Sequence, residues 1–314
     1  MDSTSPLVSI ALCIYNGAAY LPAQLDTLVA QTYQNIEIIA VDDCSTDDSV
    51  KILSQYAVKY PFIKIFRNEQ NLGFIKNYQK AILLTSGELI APADQDDIWN
   101  LNKIELMVNA IGNNIMLYHD SAFINNNGYA FNKKMSDVRN FYKGNDPRVF
   151  LFENCISGHS MIFKRELLRY FKGFNETIIH DWWLVYIALN NGTINYLPQV
   201  LVQYRQHDNA STNILRQFRG QVKPKKNGSL QKVEHQLAVT MAFADYPFNK
   251  DQAFNNRLLL LMQKRMNSYF SFQLAAFVYK HRKVLLYIQK KSATSKLNFI
   301  IKMFWGYKLK RIFN

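Results

Sequence analysis

The chain has 314 residues, of which 48% are hydrophobic and 19% are charged. This composition supplies a core for one large domain or two smaller ones and excludes a chain that is disordered throughout. The formal net charge of +13 indicates a negatively charged partner, such as nucleic acid, a membrane surface or an anionic substrate.

The positive charge is concentrated in the C-terminal third. Residues 1–215 carry 17 basic and 21 acidic side chains, a net charge of −4, whereas residues 216–314 carry 20 basic and 3 acidic, a net charge of +17. This change in composition predicts a boundary between an N-terminal domain (1–215) and a basic extension (216–314).

The cysteines favour a reducing compartment, and the hydropathy argues against a signal peptide and a membrane span. Cys13, Cys44 and Cys155 lack CxxC spacing, so they support neither a disulfide framework nor a zinc knuckle. The N-terminal apolar run stops at Asn16-Gly17 and has no basic segment before it, so it predicts a strand rather than a signal peptide. Because no stretch approaches the roughly 18 apolar residues of a membrane span, we expect a soluble or peripheral protein.

Short apolar runs alternate with amphipathic segments in the first third of the chain. Apolar runs predict strands at 7–15, 36–41, 62–66 and 88–91, and helical periodicity predicts helices at 19–31, 49–60 and 74–84. This alternation predicts a parallel, doubly wound α/β sheet. Farther along, residues 115–118 predict a strand, residues 160–163 are apolar again, and the polar segment 125–142 predicts a loop.

A polar cluster follows each of the first four predicted strands: Tyr15-Asn16, Asp42-Asp43, Arg67-Asn68 and Asp94 to Asp97. In doubly wound sheets, ligands bind at the carboxyl ends of the strands. We therefore expect the four clusters to share one rim of the sheet.

Three carboxylates occur within the four residues Asp94-Gln95-Asp96-Asp97. Mutual repulsion opposes such a concentration unless a cation or hydrogen-bond donors neutralise it. Mg²⁺ and Mn²⁺ prefer one or two carboxylates together with phosphate oxygens, so the cluster predicts a divalent cation beside a nucleotide diphosphate. The alternative interpretation is that Asp96 or Asp97 caps a helix that begins at Ile98.

Asp42 and Asp43 lie at the end of the second predicted strand, where a carboxylate can accept hydrogen bonds from a nucleobase or a ribose hydroxyl. Ser45, Thr46 and Asp47, which follow them, are candidates to cap the helix predicted at 49–60. Neither strand turn shows a GxGxxG sequence, which argues against a dinucleotide dehydrogenase.

Several motifs occur together in residues 6–210: VSIALCIYNG, Gln31-Thr32-Tyr33, IEIIAVDDCSTDDS, Asn71-Leu72-Gly73 and ADQDDIW. In these motifs the chain resembles the inverting family 2 glycosyltransferases. The resemblance implies their GT-A fold, an α/β architecture with a mixed, doubly wound sheet. The form DQDDIW, with IKNY upstream and HDWW downstream, is similar to a bacterial polysaccharide branch that includes many rhamnosyltransferases.

The resemblance also implies roles for individual side chains. It assigns one set to the donor nucleotide and sugar: Tyr15, Asn16, Asp42, Asp43, Asp94 and, near the leaving group, Arg205. It assigns the metal to Asp96 above all, with Asp94 and His207. Asp120 is a candidate for a hydrogen bond to the donor sugar, with a structural turn carboxylate as the alternative. Lys76 and Lys103 are candidates for phosphate contacts, with solvated helix residues as the alternative.

The catalytic base implied by the resemblance is Asp181 in the HDWW motif. A base must accept the proton of the acceptor hydroxyl, and an aspartate at its ordinary pKa is ionised at neutral pH. We expect the acceptor near Gly158, His159, His180, Trp182 and Trp183, where a tryptophan can offer a platform for a sugar face. The alternative interpretation makes Asp181 a helix N-cap and places the tryptophans in the core.

The basic extension carries apolar residues at helical spacing, namely Leu258, Leu261, Met262, Met266 and Tyr269, with Lys and Arg between them. This pattern predicts amphipathic helices that lie on an anionic membrane. Helices that pack on the core are the alternative, and a homodimer formed through the apolar stripe is compatible with either. No recognised nucleic-acid module accompanies the charge, so we expect no nucleic-acid partner.

Together these features predict a metal-dependent, inverting hexosyltransferase that needs Mn²⁺ or Mg²⁺. The first choice of donor is dTDP-rhamnose, and the acceptor is a hydroxyl of a bacterial cell-surface polysaccharide or a lipid-linked glycan precursor. Residues 1–98 form the nucleotide-sugar half and residues 99–215 the acceptor half, in a cytoplasmic protein peripheral to the inner face of the cell membrane. The alternatives are a UDP-sugar transferase (glucose, galactose or GlcNAc) and a non-catalytic protein that binds nucleotide sugar or membrane.

Overall fold

The computed structural model describes residues 5–206 and 228–312, which form two compact units. The first unit comprises residues 5–136, 142–145 and 156–206, and the second comprises 137–141, 146–155 and 228–312. The boundary expected at residue 215 falls outside the described residues and stays a prediction.

The alternation of strands and helices expected for the first third of the chain is confirmed. The elements are β1 (Val8–Ile14), α1 (Leu21–Val29), β2 (Ile36–Asp42), α2 (Ser49–Lys59), β3 (Ile63–Arg67), α3 (Phe74–Leu84) and β4 (Leu89–Asp94).

Strands β1 to β4 form the parallel part of a mixed sheet in the order β3-β2-β1-β4. The register pairs Ile14 with Asp42, Cys13 with Asp94 and Asp42 with Arg67, so the carboxyl ends of all four strands meet at one rim, as expected. All residues of β1 and β2 are buried, as is typical of parallel strands that are covered on both faces.

The remaining strands and α-helices before residue 207 are β5 (Ile98–Trp99), α4 (Lys103–Ile111), β6 (Met116–Ile124), β7 (Ala130–Lys134), α5 (Met135–Val138), β8 (Met161–Lys164), α6 (His180–Asn191) and β9 (Ile194–Arg205). Strand β8 runs antiparallel to β4 and β6, whereas β6 and β9 are parallel. The sheet is therefore mixed, as the GT-A fold requires.

Two local expectations are wrong. The segment 125–142, expected to be a loop, contains β7 and α5; β7 is mostly exposed, so its sequence carries no apolar signal. Ile98 begins no helix, because Ile98 and Trp99 form β5 and pair with β9. Asp96 and Asp97 therefore do not cap a helix.

The second unit is mainly helical, as expected. Its helices are α7 (Gly228–Ala244), α8 (Gln252–Met266), α9 (Phe272–Lys280), α10 (Arg282–Leu285), α11 (Ala293–Phe304) and α12 (Tyr307–Ile312). Leu258, Leu261 and Met262 of α8 are buried, so this part of the stripe expected to face a membrane belongs to the core. Within the described parts of the chain, no helix combines the length and the apolar character needed to cross a bilayer.

Candidate active site

Hydrogen bonds hold the ends of β1 and β4 together at the rim of the sheet. Tyr15 N donates to Gln95 Oε1 at 2.8 Å, and Gln95 Nε2 donates to Tyr15 O at 3.0 Å. A Cβ at Gly17 would lie 2.3 Å from Gln95 Oε1, so a larger residue there would displace the Gln95 side chain. Asn16 has a φ of 47° and accepts a hydrogen bond from Thr46 N at 2.8 Å. The Tyr15 side chain stays exposed, so its ring is open to a flat ligand such as a nucleobase.

Asp42 and Asp43 are buried and bind the protein's own backbone. Asp43 accepts hydrogen bonds from Leu72 N at 2.8 Å and Gly73 N at 2.9 Å. Asp42 accepts one from Ser45 N at 3.0 Å. These bonds fix the loops that follow β2 and β3, and direct contact of either carboxylate with a nucleotide stays a prediction.

Asp94 ends β4 and lies between two buried rings. Tyr78 Oη donates to Asp94 Oδ1 at 2.5 Å, and His159 Nδ1 lies 3.4 Å from Asp94 Oδ2. Burial alone would raise the pKa of Asp94, but the interactions with His159 and Tyr78 outweigh it and hold that pKa below its ordinary value. Asp94 is therefore an ionised carboxylate at neutral pH.

Asp97 and His159 form the buried back of the site. Asp97 Oδ2 lies 3.0 Å from His159 Nδ1, and Asp97 Oδ1 accepts a hydrogen bond from Arg205 N at 3.0 Å. Burial and the nearby charges of Asp96 and Asp94 raise the pKa of Asp97 well above its usual range. Ligand atoms of Asp94, Asp97 and His159 all lie within 4.8 Å of one another, so this group could hold a metal ion.

Lys103 supports His159 from the interior. Its Nζ donates to His159 O at 2.6 Å, while Ser121 Oγ lies 3.0 Å from His159 Nε2. Burial lowers the pKa of Lys103 well below its ordinary value. A lysine so enclosed is positioned to hold the His159 backbone rather than to make the phosphate contact for which the sequence made it a candidate. Lys76, the other lysine expected at a phosphate, forms an ion pair with Glu176 at 2.8 Å.

Arg205, at the end of β9, binds backbone carbonyl groups around Asp94, Asp96 and Asp97, here named the carboxylate cluster. Its Nε donates to Asp96 O at 2.7 Å, and its Nη1 donates to Asn126 O at 2.7 Å and Asn125 O at 3.1 Å. Its guanidinium also lies 4.9 Å from the centroid of the Tyr20 ring. The described contacts of Arg205 therefore hold the Asp96 backbone, and its contact with a donor stays a prediction.

The first turn of α6 packs against the Tyr78 that holds Asp94. The rings of His180 and Tyr78 are stacked with centroids 3.9 Å apart. Neither His180 nitrogen has a hydrogen-bond partner among the described residues, and burial lowers the pKa of His180 to about 4. A Cβ on Gly158 would lie 2.8 Å from His180 Nε2. Asp181 follows within the first turn, and the N-cap is Ile179, so the N-cap interpretation of Asp181 is wrong.

The other residues expected at the site differ in exposure and partners. Trp183 is buried and its Nε1 donates to a backbone carbonyl at 3.0 Å, whereas Trp182 is partly exposed. Asp120 accepts hydrogen bonds from Ser136 N at 3.0 Å and Ser136 Oγ at 2.5 Å, as a structural turn carboxylate does. His207 lies outside the described residues.

Sequence reasoning missed Tyr78, Ser121 and Gln95 as members of the site. Tyr78 ends the IKNY motif, but an aromatic residue at helical spacing usually indicates core. Gln95 lies between the carboxylates of Asp94 and Asp96, and the acidic pattern by which the site was predicted includes only the carboxylates. Ser121 carried no signal, because only the pairing of β6 with its neighbours brings it to His159.

Comparison with known proteins bears on the family and the fold of the chain. The model of the glycosyl transferase family 2 matches residues 9–171. An uncharacterised glycosyltransferase of Rickettsia typhi is 27% identical over 259 residues, which cover 80% of each chain. The dTDP-rhamnosyl transferase RfbG of Shigella flexneri is 27% identical over 268 residues, which cover 77% of this chain and 87% of RfbG.

Solved structures share the fold. The Staphylococcus aureus protein TarS (residues 1–349), in complex with UDP-GlcNAc, is 17% identical with a TM-score of 0.58, and the match covers 95% of this chain and 81% of that one. The mannosyltransferase PcManGT of Pyrobaculum calidifontis, in complex with GDP-Man and Mn²⁺, is 17% identical with a TM-score of 0.52, and the match covers 96% of this chain and 86% of that one. With the family model matching more than half of its length, the chain belongs to glycosyl transferase family 2 and has the GT-A fold.

Proposed function

We propose that this glycosyltransferase is an inverting hexosyltransferase with Asp181 as its base. The observation that carries the proposal is the packing of the first turn of α6 on Tyr78, whose hydroxyl binds Asp94. This contact ties the helix that bears Asp181 to the carboxylate cluster at the end of β4. In a single displacement, the base and the site of the departing diphosphate must be held in one fixed arrangement.

Asp181 is suited to accept a proton from an acceptor hydroxyl. It lies in the first turn of α6, where the helix dipole favours the ionised carboxylate. The adjacent His180 has a pKa of about 4 and is neutral at physiological pH. It therefore does not form an ion pair with Asp181. Its stacking on Tyr78 fixes the start of the helix.

The carboxylate cluster is the proposed site of a divalent cation. Two carboxylates and an imidazole, from Asp94, Asp97 and His159, bring their ligand atoms within 4.8 Å of one another. Oxygen-rich sets of this kind suit Mn²⁺ and Mg²⁺, and Asp96 and His207 are the further ligands expected from the sequence. A cation bound there would offset the negative charge that develops on the leaving diphosphate.

The proposed donor is dTDP-rhamnose, and the proposed acceptor is a hydroxyl of a cell-surface polysaccharide or a lipid-linked precursor at the inner face of the membrane. The name of the Shigella flexneri relative supports this choice of sugar and base. Thermal unfolding with dTDP-, UDP- and GDP-sugars, each with and without Mn²⁺, tests it. A ligand at about 100 times its Kd adds roughly 2.7 kcal/mol to the free energy of unfolding. Stabilisation by a UDP- or GDP-sugar instead would refute the dTDP assignment.

The change Asp181→Asn tests the assignment of the base. It is expected to lower the transfer rate by about 10²- to 10⁴-fold, as loss of a general base does, while donor binding stays within about twofold of the wild type. Glu105→Gln is the matched control, because Glu105 also lies in the first turn of a helix, and it should retain activity. Equal loss of donor binding and transfer in Asp181→Asn would show that Asp181 acts structurally.

A further inference from the structure

The second unit exposes a cluster of aromatic side chains. Phe270, Phe272, Phe304 and Trp305, here named the aromatic patch, have ring centroids between 4.7 and 6.2 Å from their neighbours. Phe272 is 68% exposed, Phe270 47% and Trp305 38%. An exposed apolar cluster of this kind marks an interaction surface.

The backbone beneath the aromatic patch is fixed by short contacts. Ser271 N donates to Phe304 O at 2.7 Å, and Gly306 N donates to Tyr269 O at 2.9 Å. A Cβ on Gly306 would lie 2.1 Å from the carbonyl oxygen of Ser268, so the two segments approach more closely than a side chain allows. The patch is therefore a built feature of the fold rather than a set of chance exposures.

Helix α11 extends the aromatic patch into an apolar stripe. Its buried side carries Ile300 and Met303, whereas Leu297 and Ile301 are exposed. Residues 297, 301 and 304 share one face of the helix at this spacing, and Trp305, which follows the helix in extended backbone, packs its ring against that of Phe304. The stripe and the aromatic patch therefore form one exposed apolar face.

Positive charge surrounds this face. Residues 228–312 hold 15 basic and 3 acidic side chains, a net charge of +12. Lys308 Nζ lies 6.0 Å from the Tyr269 ring centroid. On α11, which has no acidic residue, Lys302 is exposed and Lys296 is partly exposed. Burial and the charges of nearby basic side chains, including Lys302, lower the pKa of Lys310.

We propose that this apolar face inserts into the interfacial region of an anionic lipid bilayer, with the surrounding lysines on the lipid headgroups. Aromatic side chains favour the membrane interface, and each Lys near an anionic surface adds to the attraction. A second copy of the chain fits less well, because the two faces would carry the same positive charge. The face differs from the stripe expected from the sequence, whose Leu258, Leu261 and Met262 are buried.

This inference deepens the proposed membrane-linked function, but its test needs neither donor nor transfer. The full chain is floated with phosphatidylcholine vesicles that contain or lack phosphatidylglycerol. Binding is expected only to the anionic vesicles, and the double change Phe272→Ser with Trp305→Ser should weaken it at least about tenfold. Lys302→Gln should weaken it about fivefold.

Tyr129→Ser is the matched control, because Tyr129 is a 71% exposed aromatic residue of the first unit, and it should bind vesicles like the wild type. Thermal unfolding of each variant checks that the fold is intact. Bromine-labelled lipids should quench tryptophan fluorescence in the wild type and much less in Trp305→Phe, which still binds.

Three results would overturn the inference. The first is failure of the wild type to bind anionic vesicles, and the second is equal binding by the wild type and the double variant. The third is a dimer, seen by analytical ultracentrifugation, that the double variant loses while vesicle binding is absent, because the face would then be an interface between copies. Each of these results leaves the Asp181→Asn experiment independent, so failure of the membrane inference is distinguishable from failure of the proposed activity.

Discussion

Replacement of Arg205 by methionine separates a structural role from a donor-binding role. The change keeps the apolar stem but removes the donors to Asp96 O, Asn125 O and Asn126 O. At about 1 kcal/mol net for each of the three hydrogen bonds, we expect the free energy of unfolding to fall by about 3 kcal/mol. For a unit of this size, that corresponds to a Tm about 6 to 12 °C lower.

The measurement is thermal unfolding without donor, followed by titration with donor and Mn²⁺. Arg67→Met is the matched control, because Arg67 lies at the same rim but more than half of its side chain is exposed; it should cost less than about 1 kcal/mol. If Arg205→Met kept the wild-type Tm without donor and lost only donor affinity, Arg205 would be a donor-binding residue and the reasoning from its carbonyl contacts would be refuted.

Two further predictions concern the start of α6. Gly158→Ala should displace His180, since the added Cβ would lie 2.8 Å from His180 Nε2, and should destabilise the protein by about 1 to 3 kcal/mol; calorimetry of the double variant with His180→Ala tests this, because the clash predicts that the two costs do not add. Because burial lowers the pKa of His180 to about 4 from its ordinary 6.5, the unfolded chain binds one more proton than the native chain between these values. Stability should therefore fall as pH drops from 6.5 to 4, by up to roughly 3 kcal/mol. His180→Phe should flatten this part of the pH profile. The test is the free energy of unfolding, measured with urea at each pH; if it fell as steeply with pH in the variant as in the wild type, the argument would be contradicted.

The amino-acid sequence alone determined the strands and helices of the first third of the chain. The apolar run at 7–15 becomes β1 (Val8–Ile14), and the helix predicted at 74–84 has the bounds of α3 (Phe74–Leu84). β1 is predictable because a parallel strand that is buried on both faces is a short continuous apolar run. α3 is predictable because burial of one face imposes a helical period on its apolar residues. The rim of polar clusters followed from the same pattern, since parallel strands end on one side of the sheet.

The tertiary structure alone decided which side chains of the site touch. His159 lies 65 residues after Asp94 along the chain, and the contact between them exists because β8 follows His159 closely and pairs beside β4. Tyr78 reaches Asp94 from α3, and the local sequence pattern of α3 does not predict this contact.

The choice of exposed face in the second unit was also decided by the tertiary structure. Amphipathic spacing shows that one side of a helix is apolar, but it does not show whether that side meets a membrane or another helix. Leu258 and Leu261 of α8 are buried among neighbouring helices, whereas Leu297 and Ile301 of α11 are exposed. Only the packing of long-range neighbours distinguishes a core from a surface.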